Sequence, residues 1–162
     1  METWKKLAIG TGVGSVLLAG TAWLLRLNRT AVNLEVIPNA KVHKIDLSAV
    51  TIRVDLQVKN PTRTSLNIKY PFVRLSYQDN SIGSSQAVDQ DIVLPANGEA
   101  QIENILISIP MLNLLSSAGK VLTALQNKET VQLQIDTLTS IDLKIKKVPF
   151  SKRMLVNLNN RT

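Results

Sequence analysis

Residues 51–77 read TIRVDLQVKNPTRTSLNIKYPFVRLSY, and this stretch decides the fold. Ile52, Val54, Leu56 and Val58 alternate with Arg53, Asp55, Gln57 and Lys59. A period of two sends successive side chains to opposite faces of a sheet, so one face of this strand is buried and the other is wet. Asn60-Pro61 ends it, because proline has no N–H to give to a ladder and forces the residue before it out of helical geometry. A second strand resumes with Leu66, Ile68 and Tyr70, breaks at Pro71 and continues from Phe72 to Tyr77.

Outward from this pair the same grammar repeats. Upstream, two short strands are expected around 33–37 and 41–45, separated by Pro38-Asn39. Downstream, the turn cluster Gln78-Asp79-Asn80-Ser81 predicts a hairpin into a short strand around 82–86. Ile92 to Leu94 leads into the tight turn Pro95-Ala96-Asn97-Gly98, and Gln101 to Ile109 is a strand rich in β-branched residues. Pro110 opens one helix, with Met111, Leu114, Leu115, Ala118, Val121, Leu122 and Leu125 at helical spacing and a bend expected at Gly119. The last strands place Val131, Leu133 and Ile135, then Leu143, Ile145 and Val148, on buried faces. Short strands, regular turns and a single helix predict an antiparallel β-sandwich over residues 31–162.

The strand ending in Asn-Pro at Val58 to Pro61, the aromatic strand SLNIKYPFVRLSY at 65–77 and the closing VPFS at 148–151 resemble one family. They are similar to the late embryogenesis abundant type 2 proteins, which carry the WHy (water stress and hypersensitive response) domain. The resemblance covers roughly residues 31–157. At position 62, where the family often has a second Asn, this chain has Thr62. The resemblance implies an immunoglobulin/fibronectin III-like sandwich of about seven strands with one helix. It implies a structural role for Asn60, Pro61 and Tyr70, and a non-enzymatic, stress-protective or binding function.

Residues 1–30 form a separate piece. Lys5 and Lys6 precede an uncharged run from Leu7 to Leu25, and Arg26 and Arg29 follow it. The run approaches the ~20 residues that span a hydrocarbon core. Trp4 and Trp23 sit near its ends, where indoles favour the membrane interface. A single-pass anchor over residues 7–25 is the expectation. Gly20-Thr21-Ala22 keeps open signal cleavage and export, though Trp23 to Leu25 extend the apolar run past it. A helix buried in a protein assembly is the third alternative. No cysteine follows Leu17-Leu18-Ala19-Gly20, which excludes a lipoprotein anchor. Basic residues flank both ends, so charge bias leaves orientation open. Gly10-Thr11-Gly12-Val13-Gly14 is no dinucleotide loop, since position 15 is Ser and no strand precedes it. Gly10 and Gly14 instead match a small-residue face for helix pairing.

In all, 162 residues with 44% apolar content suffice for one core, and 4% aromatics make that core aliphatic. Without cysteine there is no disulfide framework and no thiolate metal site. The lone His43, flanked by lysines, makes neither a triad nor a metal site. Asp89 and Asp91 share a strand face but lack the oxygen-rich spacing of a calcium loop. Gly119-Lys120 is followed by Val121, not Ser or Thr, so it is no phosphate loop. No catalytic, metal or cofactor site is therefore expected. The net charge of +7 favours anionic partners. Lys144, Lys146, Lys147, Lys152 and Arg153 are the candidate patch for an anionic surface, with membrane lipid as its partner. Nucleic acid is a poor fit, because only Phe150 offers a stacking ring among these charges. A structural part of a larger assembly, such as a virion or secretion apparatus, and a lipid-binding module are the alternatives to the protective role.

Overall fold

The computed structural model describes residues 34–158. The apolar run 7–25, the boundary at residue 30 and the ends 31–33 and 159–162 of the sandwich lie outside them. Among the described residues no helix is long and apolar enough to cross a membrane.

The alternation of the deciding stretch is realised as strand β2 (Ala49–Lys59). Ile52, Val54, Leu56 and Val58 are buried, while Arg53, Asp55, Gln57 and Lys59 are half-exposed. Strand β2 is the centre of a three-stranded antiparallel sheet, between β1 (Glu35–Ile45) and β7 (Glu99–Pro110). The second sheet holds β3 (Leu66–Lys69), β4 (Phe72–Tyr77), β5 (Asn80–Ser84), β6 (Asp91–Leu94), β8 (Val131–Asp142) and β9 (Lys147–Leu158). Its pairings are all antiparallel.

Nine strands replace the expected seven, and the reason is local. Strands β3 and β4 line up end to end beside β8, with Ile68 opposite Ile141 and Phe72 opposite Leu138, and Tyr70-Pro71 breaks the ladder between them. Strands β6 and β5 lie outside β3 and β4 in the same broken fashion. The nine strands thus occupy seven lanes, three in one sheet and four in the other. Aliphatic side chains from both sheets meet in one core, among them Ile52, Leu56 and Ile107 from the first and Leu75, Leu133 and Ile135 from the second.

Three expectations are corrected. Pro38 does not split the first strand: β1 runs unbroken through it. Strand β1 pairs on one side only, so a missing N–H on the open side costs no ladder bond. The single helix is two, α1 (Met111–Ser117) and α2 (Gly119–Gln126), separated at Ala118 with φ −149° and ψ 39°. The break falls one residue before Gly119. Both helices bury one apolar stripe, with Leu114, Val121 and Leu125 in the core. Finally, Leu143 and Ile145 do not continue a strand. Strand β8 ends at Asp142, and residues 143–146 form the turn into β9, leaving Ile145 70% exposed. The Leu143 N–H donates to the Lys146 carbonyl at 3.0 Å, and Lys144 takes a φ of +67°.

Strand directions give the molecule two ends. Leu34, where the chain enters, the connection 60–65, the turn 95–98 and the turn 143–146 share one end. The β1–β2 turn at 46–48 lies at the other, where the Met111 N–H donates to the Ser48 carbonyl at 2.9 Å.

Candidate functional site

Asn60 is 1% exposed and fully engaged. Its Nδ2 donates to the carbonyls of Thr64 at 2.9 Å and Pro95 at 2.9 Å, with Leu94 at 3.4 Å. Its Oδ1 accepts the N–H of Thr62 at 3.0 Å and lies 2.7 Å from the Thr62 hydroxyl. Its own N–H donates to the Gly98 carbonyl at 2.8 Å, and the Asn97 N–H reaches the Thr62 carbonyl at 2.8 Å. An amide is required here, because only a side chain with both donors and an acceptor can satisfy this set. The group clasps the end of β2 in one sheet to the start of β3 and the end of β6 in the other. Thr62 supplies with its hydroxyl a partner for the Asn60 carbonyl oxygen, which helps keep the turn closed. Pro61 is exposed on the outside of this connection.

Tyr70 is half-buried at the β3–β4 break, where its N–H donates to the Gln90 carbonyl at 2.7 Å. Burial pushes its phenol up from the ordinary value. It lines a small surface recess with Ser85, Val88 and Asn104.

The five basic residues do not form one patch. Lys144, Lys146 and Lys147 come together at the β8–β9 turn, all exposed. Lys152 and Arg153 lie five and six residues further along β9, roughly 17–20 Å away at strand spacing. Lys152 stands opposite Thr137 on the side of β9 that elsewhere faces the core, and Arg153 is on the outer side. There Arg153 Nε donates to Asp136 Oδ1 at 2.8 Å, across the ladder. This pairing was invisible in the sequence because it needs the register of β8 against β9.

Several of the acidic residues are likewise occupied. Lys69 Nζ lies 2.7 Å from Asp89 and 3.0 Å from Asp91, so the two carboxylates that share a spacing hold a lysine. That ammonium keeps Asp89 below the usual carboxylate range. Asp55 accepts Arg53 Nε at 2.9 Å and the Asn104 N–H at 2.8 Å. Burial pushes its carboxyl up, but these partners outweigh burial and hold it below the usual range. Asn104 has φ +62° and sits where the β2–β7 register slips, so Asp55 caps a bulge. Asp46 accepts the Ser48 hydroxyl and the N–H groups of Ala49 and Ser48, which place it well below the usual range. His43 is exposed on β1. An open concavity of about 580 Å³ lies under α2, lined by Tyr77, Asp79, Lys120, Glu129, Gln132 and Gln134. No motif in the sequence marks it, since these residues come from three separate segments and Leu155 of β9 adds a fourth.

No family model matches the chain, and no curated protein matches it. Solved structures do share its fold. A crystal structure of a protein from Archaeoglobus fulgidus aligns with a TM-score of 0.52 at 9% identity, over 80% of this chain and 99% of that one. A solution structure of a protein from Arabidopsis thaliana aligns with a TM-score of 0.50 at 17% identity, over 76% of this chain and 80% of that one. A solution structure provisionally assigned to the late embryogenesis abundant proteins reaches a TM-score of only 0.36 at 17% identity, too low to bear on the fold. At these identities the likeness concerns the fold alone.

Proposed function

We propose that the chain is a membrane-tethered, non-enzymatic β-sandwich of the immunoglobulin/fibronectin III kind, with the protective or binding role that its resemblance to the late embryogenesis abundant type 2 proteins implies. One observation carries the proposal. The residues behind the resemblance, Asn60 and its neighbours, are spent on joining the two sheets, with both side-chain atoms of Asn60 bonded internally. A segment committed in this way holds a scaffold together. The displaced carboxylates Asp46, Asp55 and Asp89 are each engaged by a cation or by N–H and O–H donors, as in structural pairs. The tether is the apolar run 7–25 with its flanking basic and indole residues.

The test has two arms. Alkaline extraction of native membranes should leave the full chain in the pellet, and its release would remove the tether. Freeze–thaw inactivation of a labile reporter enzyme should slow when the chain is present, and an unchanged rate would remove the protective role.

A part in a larger assembly is the second reading. It is favoured by apolar side chains left open at the end away from Leu34, with Leu47 99%, Leu112 78% and Leu115 60% exposed. Sizing of gently solubilised native material decides between them. A large particle of fixed stoichiometry supports the assembly, and a single small species supports the free domain.

A further inference from the structure

The topology gathers cations at the end of the domain where the chain enters. Strand β1 leaves Leu34 opposite the end of β2, with Glu35 paired to Lys59. The start of β3 runs beside the end of β8, with Asn67 opposite Asp142. The connection carrying Arg63 and the turn carrying Lys144, Lys146 and Lys147 therefore lie at this one end. All four side chains are exposed, and none forms an ion pair within the described residues. Of the acids nearby, Glu35 faces Lys59 at 4.0 Å, and Asp89 and Asp91 share Lys69 at 2.7 and 3.0 Å. Glu99, which accepts Gln57 Nε2 at 2.8 Å, and Asp142, which accepts the Lys144 N–H at 2.8 Å, keep their charges but are outnumbered by the four cations. The opposite end has no such excess: Lys44 pairs with Asp46, Lys120 lines one concavity with Asp79 and Glu129, and Lys128 precedes Glu129 in the sequence.

The turn also carries an apolar tip. Ile145, 70% exposed, stands between Lys144 and Lys146 with no core contact to hold it. An apolar side chain ringed by lysines suits the boundary between phosphate head groups and acyl chains, where apolar burial and charge attraction add.

We infer that the β8–β9 turn, with Arg63 beside it, is a docking surface for the anionic lipid head groups of the membrane that holds the chain. Lys144, Lys146, Lys147 and Arg63 meet the phosphates and Ile145 enters the interface. The inference rests on the tethered reading above. Between the end of the apolar run at Leu25 and the start of β1 stand nine residues, 26–34, whose greatest reach is about 30 Å. The tether thus holds this end within about 30 Å of the lipid, closer than the end roughly 35 Å further along β1, without fixing which way the domain turns. Each basic residue close to an anionic surface is worth about fivefold in binding. Together the three turn lysines are worth on the order of a hundredfold. Lys152 and Arg153 take no part. The docked state fixes the orientation of a domain that a nine-residue link alone would leave free to tumble.

The full chain has no cysteine, so single labels are clean. A dye at Thr64→Cys reports on the docking end and one at Leu112→Cys on the far end. The chain is reconstituted in vesicles of phosphatidylcholine alone, or with phosphatidylserine, carrying a head-group quencher. Expected is strong quenching at position 64 in the phosphatidylserine vesicles only, reversed by salt. Lys144→Gln, Lys146→Gln and Lys147→Gln together should abolish it with an unchanged melting temperature, and Ile145→Ser alone should weaken it. Position 112 should stay unquenched throughout. Equal quenching at 64 in both lipids, or quenching that survives the triple substitution, overturns the docking surface while leaving the tether intact. If alkali strips the chain from the vesicles, the tether falls separately. Docking is then read by co-sedimentation, where salt-sensitive pelleting with phosphatidylserine vesicles alone sustains it and its absence overturns it. A short RNA that binds the wild-type turn while phosphatidylserine vesicles leave position 64 unquenched assigns the surface to nucleic acid and overturns the lipid assignment.

Discussion

Asn60 Nδ2 and the carbonyl of Pro95 meet at 2.9 Å, and that bond ties the central strand of one sheet to the turn that leaves the edge strand of the other. Asn60→Ala strands the buried partners of both side-chain atoms. A cost of about 1–3 kcal/mol is expected, the penalty for leaving a buried polar group unpaired. Asn60→Asp should cost more at pH 7, because it turns a carboxylate toward three carbonyl oxygens. Denaturant unfolding checks both, and an aspartate as stable as the asparagine would refute the donor assignment.

Leu56 and Gln57 are neighbours with opposite surroundings. Leu56 is 2% exposed in the core, and Gln57 reaches Glu99 on the wet face. Leu56→Ala should cost about 2–5 kcal/mol. Gln57→Ala should stay within about 0.5 kcal/mol, as at a surface position. Equal losses in chemical denaturation would contradict the register of β2.

Asp46, Asp55 and Asp89 are held below the ordinary carboxylate range in the folded chain. A depressed folded-state value means stability that is present above the unfolded value and lost as pH falls. The midpoint of unfolding should therefore decline as pH drops through about 4, the unperturbed range of aspartate. Asp55→Asn should remove part of this slope. It should also cost about 1–3 kcal/mol at pH 7, since it breaks charged bonds to Arg53 and the bulge amide. An unchanged pH profile in the variant would show that Asp55 is not one of the titrating groups.

Gly83 on β5 packs tightly against β7 of the other sheet. A Cβ placed there meets Ile109 Cγ1 at 2.9 Å and Ile107 Cγ2 at 3.2 Å. Gly83→Ala should cost about 1–3 kcal/mol by overpacking. The cost should shrink in an Ile109→Ala background, where the opposing atom is gone. A double-mutant cycle of melting curves measures the coupling, and additive effects would place the strain elsewhere.

Strand β2 was legible because one of its faces is wet, so hydrophobic alternation writes its inward and outward positions into the sequence. The same signal misled at Leu143, Ile145 and Val148, where a period of two runs straight across a hairpin turn. Only the αL backbone at Lys144 reveals the turn, and lysine is not a residue that announces it. Pro38 and Gly119 were given more weight than they carry. Proline stops a strand only where its N–H is needed, and the helix break fell at Ala118, which has no local signal of its own. The clasp was half legible: Asn-Pro marks a turn, but the partners Leu94 and Pro95 lie 34 and 35 residues away. The cation cluster was misdrawn because five charges close in sequence were divided by a strand direction that only pairing fixes.

The proline that β1 tolerates has a meaning for neighbours. Strand β1 borders one sheet and β9 the other, and β9 carries Pro149 and, on its core-facing side, the exposed Lys152. Copies of the chain brought side by side would otherwise find open backbone edges to zip together. On these two borders a proline without an N–H, and on β9 a charge that must be stripped of water before another sheet can lie alongside, interrupt that growth. Replacing Pro38 and Pro149 by Val together with Lys152→Val should therefore raise the tendency of the same fold to aggregate on concentration.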